Sequence, residues 1–334
     1  MPEQVPPDLV RSTFSRRSLL RAGGGLVATT ALLGAGAMFA GPASAAITAM
    51  PTSKRFDLTE PSYDEFRSKI LHESHHVMQG FAFDNQNVRI FIVNARNGGT
   101  GDDLCITQVN FSGVIQGSMH LGNAGHGVSI GVEAVGTDSY IWMECDSDGP
   151  TGDGRGTALA RFKFVNGGTP SVKKFLTGSK TITCATDPIN KRIAVRRNEG
   201  GQMFYSVYPL ASAAAGNFSA PLAHFAQPAL ADTAVTFQGY TIYGQYLYTL
   251  DGTGHANSAD INSYVTCIDM NTGKVKSRAL TKAGESLVFR EPEGLGIYRS
   301  LAGETRLYLG FGSRSSMDNI NRYANLFYKN VLID

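Results

Sequence analysis

Short apolar runs recur along this chain with a period of about fifty residues. The clearest are Ile90-Phe91-Ile92, Ile141-Trp142-Met143, Ile193-Ala194-Val195, Leu247-Tyr248-Thr249 and Leu307-Tyr308-Leu309. Each follows a second short run and a turn, at 80–84, 129–133, 184–187, 239–242 and 294–297. Runs this short, bounded by turn formers, read as buried strands. A strand-rich repeat of this length predicts an all-β fold, a five-bladed β-propeller in which each repeat makes a four-stranded blade around a central axis.

The expected strands are 80–84, 89–95, 104–110 and 114–121 in blade one, and 128–135, 140–146, 157–164 and 171–176 in blade two. Blade three takes 181–187, 192–197, 203–210 and 222–225, with 211–216 as a small-residue loop, and blade four takes 237–243, 245–250, 263–269 and 274–280. Blade five offers only 294–298, 306–312 and 322–329. Its fourth strand must come from the last residues or from the mature N-terminus, which would close the ring and hide two sheet edges. Before blade one, a polar cap, Pro61 and acids over 59–66 predict a short N-terminal helix running to about Leu71.

Ser15-Arg16-Arg17-Ser18-Leu19-Leu20, an apolar run over 24–40 and Ala43-Ser44-Ala45 read as a twin-arginine signal peptide with its cleavage site. The run is short and rich in Gly and Ala, so no membrane span is expected. The organisation is therefore a leader over 1–45, an N-terminal segment with a short helix over 46–75 and the propeller over 76–334, in a secreted or wall-associated protein. Charged residues make up 17% of the chain and the formal net charge is +2, which gives no basic stripe for nucleic acid. Cys105, Cys145, Cys184 and Cys267 fall inside four different blades without zinc-site spacing and read as small core residues.

The wording of several segments resembles a known family. Met78-Gln79-Gly80-Phe81-Ala82-Phe83-Asp84-Asn85, Gly125-His126-Gly127-Val128-Ser129-Ile130-Gly131-Val132-Glu133, Tyr140-Ile141-Trp142-Met143-Glu144 and the stretch over 154–164 carry the likeness, which continues through Glu291-Pro292-Glu293-Gly294. They are similar to the five-bladed propeller shared by the teichoic acid biosynthesis protein C group and the receptor-binding proteins of some staphylococcal phages. The resemblance implies recognition of wall teichoic acid or another surface glycan, and no established reaction. The twin-arginine leader and the lack of a stem or tower domain depart from the phage members, so attachment of a phage particle is not carried over.

Polar residues in or just before the innermost strands are expected to converge on the axis. They are His75, His76 and Gln79 in blade one, His126, Ser129 and Glu133 in blade two, Thr183 and Asp187 in blade three, Gln238 and Tyr240 in blade four, and Glu291 and Glu293 in blade five. His76, His126 and Glu133 are the candidate acid/base groups, since imidazole titrates near neutrality and a carboxylate can fix its tautomer. Gln79, Ser129, Asp187, Gln238, Tyr240, Glu291 and Glu293 are the candidate sugar-binding residues. Arg155 or Arg161 is the expected partner if Glu133 is paired. Tyr240, Tyr243 and Tyr298 are candidate platforms for a sugar ring, whereas Trp142 reads as core.

No catalytic motif stands out, so a glycan-binding propeller is the first reading. The alternative is a polysaccharide lyase or glycoside hydrolase working through an axial histidine, with Arg196, Arg197 or Arg290 neutralising a uronate. No cofactor and no metal ligand set is expected. The acidic loop over 146–154 has a composition that suits calcium but lacks the EF-hand spacing, and it reads as a solvated turn, as does the loop from Asp251 to Asn257.

Overall fold

The computed structural model describes residues 49–96, 103–149, 154–256, 260–315 and 320–334; the expected twin-arginine leader lies outside them. Five four-stranded antiparallel sheets make up the described fold. Blade one is β3 (Met78–Asp84), β4 (Arg89–Ala95), β5 (Leu104–Val109) and β6 (Ile115–Leu121). Blade two is β7 (Gly131–Val135), β8 (Asp138–Ser147), β9 (Gly156–Lys163) and β10 (Lys173–Phe175). Blade three is β11 (Ile182–Asp187), β12 (Arg192–Glu199), β13 (Gln202–Pro209) and β14 (Ala223–Ala226). Blade four is β15 (Thr236–Tyr243), β16 (Tyr246–Gly252), β17 (Tyr264–Asp269) and β18 (Lys274–Leu280).

Blade five is β19 (Glu291–Arg299), β20 (Thr305–Arg314), β21 (Arg322–Lys329) and, from the other end of the chain, β2 (Tyr63–Lys69). The donated strand corrects the helix expected over 59–71. The Pro61 and acidic start signal is local, but β21 presents an otherwise unpaired edge whose backbone groups need partners. β2 supplies them antiparallel, pairing Tyr63 with Tyr328 and Lys69 with Ala324, and buries Phe66 from an otherwise open strand. β1 (Arg55–Phe56) pairs with β22 (Leu332–Ile333), which ties the last strand to the segment ahead of β2. The small-residue loop expected at 211–216 folds instead as one short helix, α1 (Leu210–Ala215), closed by Gly216 at φ 91°.

The core lies between blades. One apolar cluster joins Phe91 and Ile106 of blade one to Ile141 and Phe162 of blade two. Four more repeat the arrangement around the ring, the last joining Phe81 and Ile92 to Tyr308 and Leu326. All four cysteines are buried and free, and Trp142 is fully buried, as their strand positions predict.

The axis is closed by backbone. A Cβ on Gly80 would stand 2.7 Å from the Gly127 carbonyl oxygen, and one on Gly239 would stand 2.8 Å from that of Val128 and 3.0 Å from the Gly294 Cα. The segment before β7 therefore plugs the centre, which is why blade two's inner strand begins at Gly131 and not at 128 as expected. Ser129 Oγ accepts the Tyr240 N–H at 3.0 Å and locks the plug to β15. A side chain at position 80 has no room, because its neighbours are carbonyls that cannot rotate away. Gly80→Val is expected to cost about 3 kcal/mol or more. Gly136→Ala, at a turn with φ 60° and open space around it, is expected to cost about 1 kcal/mol. Urea denaturation of the two variants beside the parent checks the contrast.

A cationic cavity on one face of the propeller

Each inner strand starts on one face of the disc and ends in a hairpin on the other, and the predicted site residues divide between the two. At about 3.3 Å per residue, the ends of these strands are too far apart for one substrate-sized site, and the closed axis separates them. His75, His76, Gln79, His126, Gln238, Glu291 and Glu293 belong to the starting face. Glu133 and Asp187 belong to the hairpin half.

Glu133 accepts from Arg161 Nε at 2.8 Å and from Trp142 Nε1 at 2.9 Å, which settles the choice of partner in favour of Arg161. It lines a separate cavity of about 200 Å³ with Phe83, Pro188 and Lys191. It does not meet His76 or His126. Asp187 is fully buried and accepts the Ile189, Asn190 and Gly244 backbone N–H groups and the Asn190 amide, while burial pushes its carboxyl up. It staples blade three to blade four, as Asp84 staples blade one to Ser139 of blade two at 2.5 Å.

Tyr240 also departs from expectation. Its ring is buried and its hydroxyl donates between the carbonyls of Thr183 and Ala194, at 3.0 and 3.1 Å. Tyr298 is buried against Phe83 and Phe111, so neither it nor Tyr240 offers a ring face to a sugar, and Tyr243 is half-buried with its ring packed on Phe56. Gln79, Gln238 and Glu293 share one device. Each is buried at a β-bulge immediately before an axial glycine, where the inner strand must kink to let the backbones meet. Gln238 Nε2 donates to the Gly252 carbonyl at 3.1 Å.

His126 sits half-buried in the plug, whose position is set by Glu144. That fully buried carboxylate accepts the Gly127 N–H at 2.8 Å and the Gly156 N–H at 2.6 Å, with Arg155 at 3.5 Å. In the first acidic loop, Asp146 pairs with Lys174 at 2.7 Å and Asp148 accepts the Arg155 N–H at 3.0 Å, while residues 150–153 lie outside the described residues. In the second, Asp251 is buried and accepts the Ala231 N–H at 2.8 Å, with Asn257 outside the described residues.

On the starting face, a cavity of about 260 Å³ brings Glu291 together with Val77, His255, Phe289, Arg314 and Arg322. Arg314 ends β20 and Arg322 begins β21, and the two stand directly opposite one another in register. Like charges so paired repel, and burial together with the Arg322 charge holds the Arg314 guanidinium below its ordinary range. The Arg314 guanidinium lies 3.2 Å over the Phe289 ring, whose own φ of 54° brings the ring beneath it.

Behind the cavity, Arg290 is fully buried. It donates to the carbonyls of Ala283 and Thr281 and to Ser263 Oγ, and stacks 3.9 Å from Phe311. Burial pushes its guanidinium down to about 9, still charged at neutral pH. His255 meets it at 3.3 Å. Of the arginines considered as uronate partners, Arg196 is buried against Gln227 and Phe237 and Arg197 pairs with Glu199, so Arg290 alone borders this cavity. Sequence reasoning missed Arg314 and Arg322. The signal available was a matched pair of arginines flanking one hairpin loop.

A ring of five four-stranded antiparallel sheets is the architecture of a β-propeller. The chain belongs to the family described as the phage 5-bladed beta propeller receptor binding platform domain, which matches residues 77–328. It is 28% identical over 278 residues to the putative major teichoic acid biosynthesis protein C of Bacillus subtilis (strain 168), covering 77% of this chain and 61% of that relative. The chain thus spans less than two thirds of that relative's length. Among solved structures it is similar to a Bacteroides ovatus xyloglucan-locus protein, GH43B, at TM-score 0.46 and 10% identity over 79% of this chain and 53% of that one. It is also similar to the N11 neuraminidase-like protein of a flat-faced bat influenza A virus, at TM-score 0.43 and 10% identity over 84% and 98% of the two chains. At these values neither likeness bears on what this chain binds.

His76 gives the starting face a pH dependence. Burial holds its imidazole below the ordinary 6.5, with His75 and Arg322 acting in the same direction against Glu73. The folded state therefore favours the neutral ring. That contribution to stability is complete above about pH 6.5 and is lost as pH falls through the lowered folded value. Thermal melting at about pH 7.5 and about pH 5 should show a smaller acid loss for His76→Asn than for the parent; equal losses would place the acid sensitivity elsewhere.

Proposed function

We propose that this protein is an exported propeller that binds an anionic cell-wall polymer or extracellular polysaccharide, a teichoic-acid-like glycan, on its starting face. The observation that carries the reading is the Arg314–Arg322 pair. Two guanidiniums stand opposite each other in register and line one cavity, with Arg290 buried behind them, and guanidiniums pair bidentately with phosphate and carboxylate groups. A phosphodiester or a uronate carboxylate supplies that charge, and Glu291 supplies an acceptor for a neighbouring hydroxyl. Membership in a receptor-binding family and the teichoic-acid-related relative support the same class of partner. No helix among the described residues is long and apolar enough to cross a membrane, which fits a protein that acts on the wall from outside.

Binding is proposed ahead of cleavage because Glu133, the carboxylate expected to work with the histidines, is held by Arg161 on the other half of the disc. The protein is expected to be retained on isolated cell walls and released when their anionic polymer is stripped, with retention falling as salt rises. Arg314→Ala with Arg322→Ala should weaken retention about tenfold or more. Equal retention on stripped walls would sink the reading, and mass spectrometry of the supernatant would show at once whether polymer is cut.

A further inference from the structure

The strap from β2 in blade five to β3 in blade one contains His72-Glu73-Ser74-His75-His76. His72 and Glu73 do not reach the arginine cavity. They meet His120 on β6, the outermost strand of blade one. His120 Nε2 lies 3.3 Å from Glu73 Oε1 with no aligned hydrogen bond between them, and the His72 and His120 rings are 5.6 Å apart. One ligand-type atom from each of the three side chains falls within 4.8 Å of the others. Three ligands about 2.1 Å from one tetrahedral ion stand roughly 3.4 Å apart, so the three atoms would have to draw together by about 1 Å to share an ion.

Two features prepare the cluster. The His72 N–H donates to Thr107 Oγ1 at 3.3 Å, and the buried Asn94 amide donates to the Glu73 carbonyl at 2.7 Å, so both strap residues are pinned to β5 and β4, the two middle strands of the same blade. Arg96 Nε shares Glu73 Oε1 at 3.2 Å, but its side chain is 35% exposed and turns to solvent when a stronger cation takes that oxygen.

We propose that His72, Glu73 and His120 form a Zn²⁺ site that pins the closing strap to the outer edge of blade one. Two imidazoles and a carboxylate with a fourth position left for water are a zinc donor set, whereas calcium and magnesium prefer all-oxygen ligands. The ion would couple the strand that closes the ring to the blade it passes over, so metal binding adds to fold stability. This proposal stands apart from glycan binding, because its residues and its readout are separate from the arginine cavity.

The test is calorimetric titration of the metal-stripped full chain with zinc chloride, followed by thermal melting with and without the ion. One zinc per chain and a raised melting temperature are expected, with no comparable rise from magnesium. His72→Ala and His120→Ala should each weaken zinc binding at least about 100-fold, while His224→Ala, on blade three, should leave it unchanged. If either truncation fails to fold, Glu73→Gln decides, since it keeps the shape of the side chain and removes the anionic ligand. No zinc uptake by the parent, or uptake undiminished in His120→Ala and Glu73→Gln, overturns the proposal.

Discussion

The structure depends on the contact of backbones at the axis. Gly80, Gly239 and Gly294, from three inner strands, lie against the carbonyls of Gly127 and Val128, which belong to the segment leading into a fourth. This contact fills the centre of the ring with polypeptide. It forces a bulge before each of the three glycines, and it buries Gln79, Gln238 and Glu293 there. It also sets close-packed backbone between the strand starts on one face and the hairpins on the other.

The plug needs an anchor of its own, because an irregular segment in a buried place must have its N–H groups satisfied. Glu144 provides it, accepting from Gly127 and Gly156. The same economy appears at the hairpins, where Asp84 and Asp187 each cap a turn within their own blade and reach the next one. Several carboxylates that looked available for chemistry are thus committed to holding blades together. Three arginines gather on the starting face. Arg314 and Arg322 oppose each other across a strand pair, and Arg290 is buried behind them.

Ring closure links both themes. β2 completes blade five, and the strap after it crosses to blade one carrying His72, Glu73, His75 and His76. The segment that closes the propeller therefore also furnishes side chains to the starting face.

The sequence by itself determined the repeat, the number of blades and most strand positions, because the alternation and length of apolar runs are local consequences of strand geometry. It determined the core placement of Trp142 and the four cysteines for the same reason. Only the tertiary structure decided that 63–69 is a strand, since the partner edge at β21 lies at the far end of the chain and outweighs a local helix-start signal. Only it decided that Tyr240 and Asp187 are structural, that Arg161 claims Glu133, and that Arg314 and Arg322 face one another. Those outcomes depend on which residues from separate blades come within hydrogen-bonding or Coulombic range, and that proximity is created by the closure of the ring.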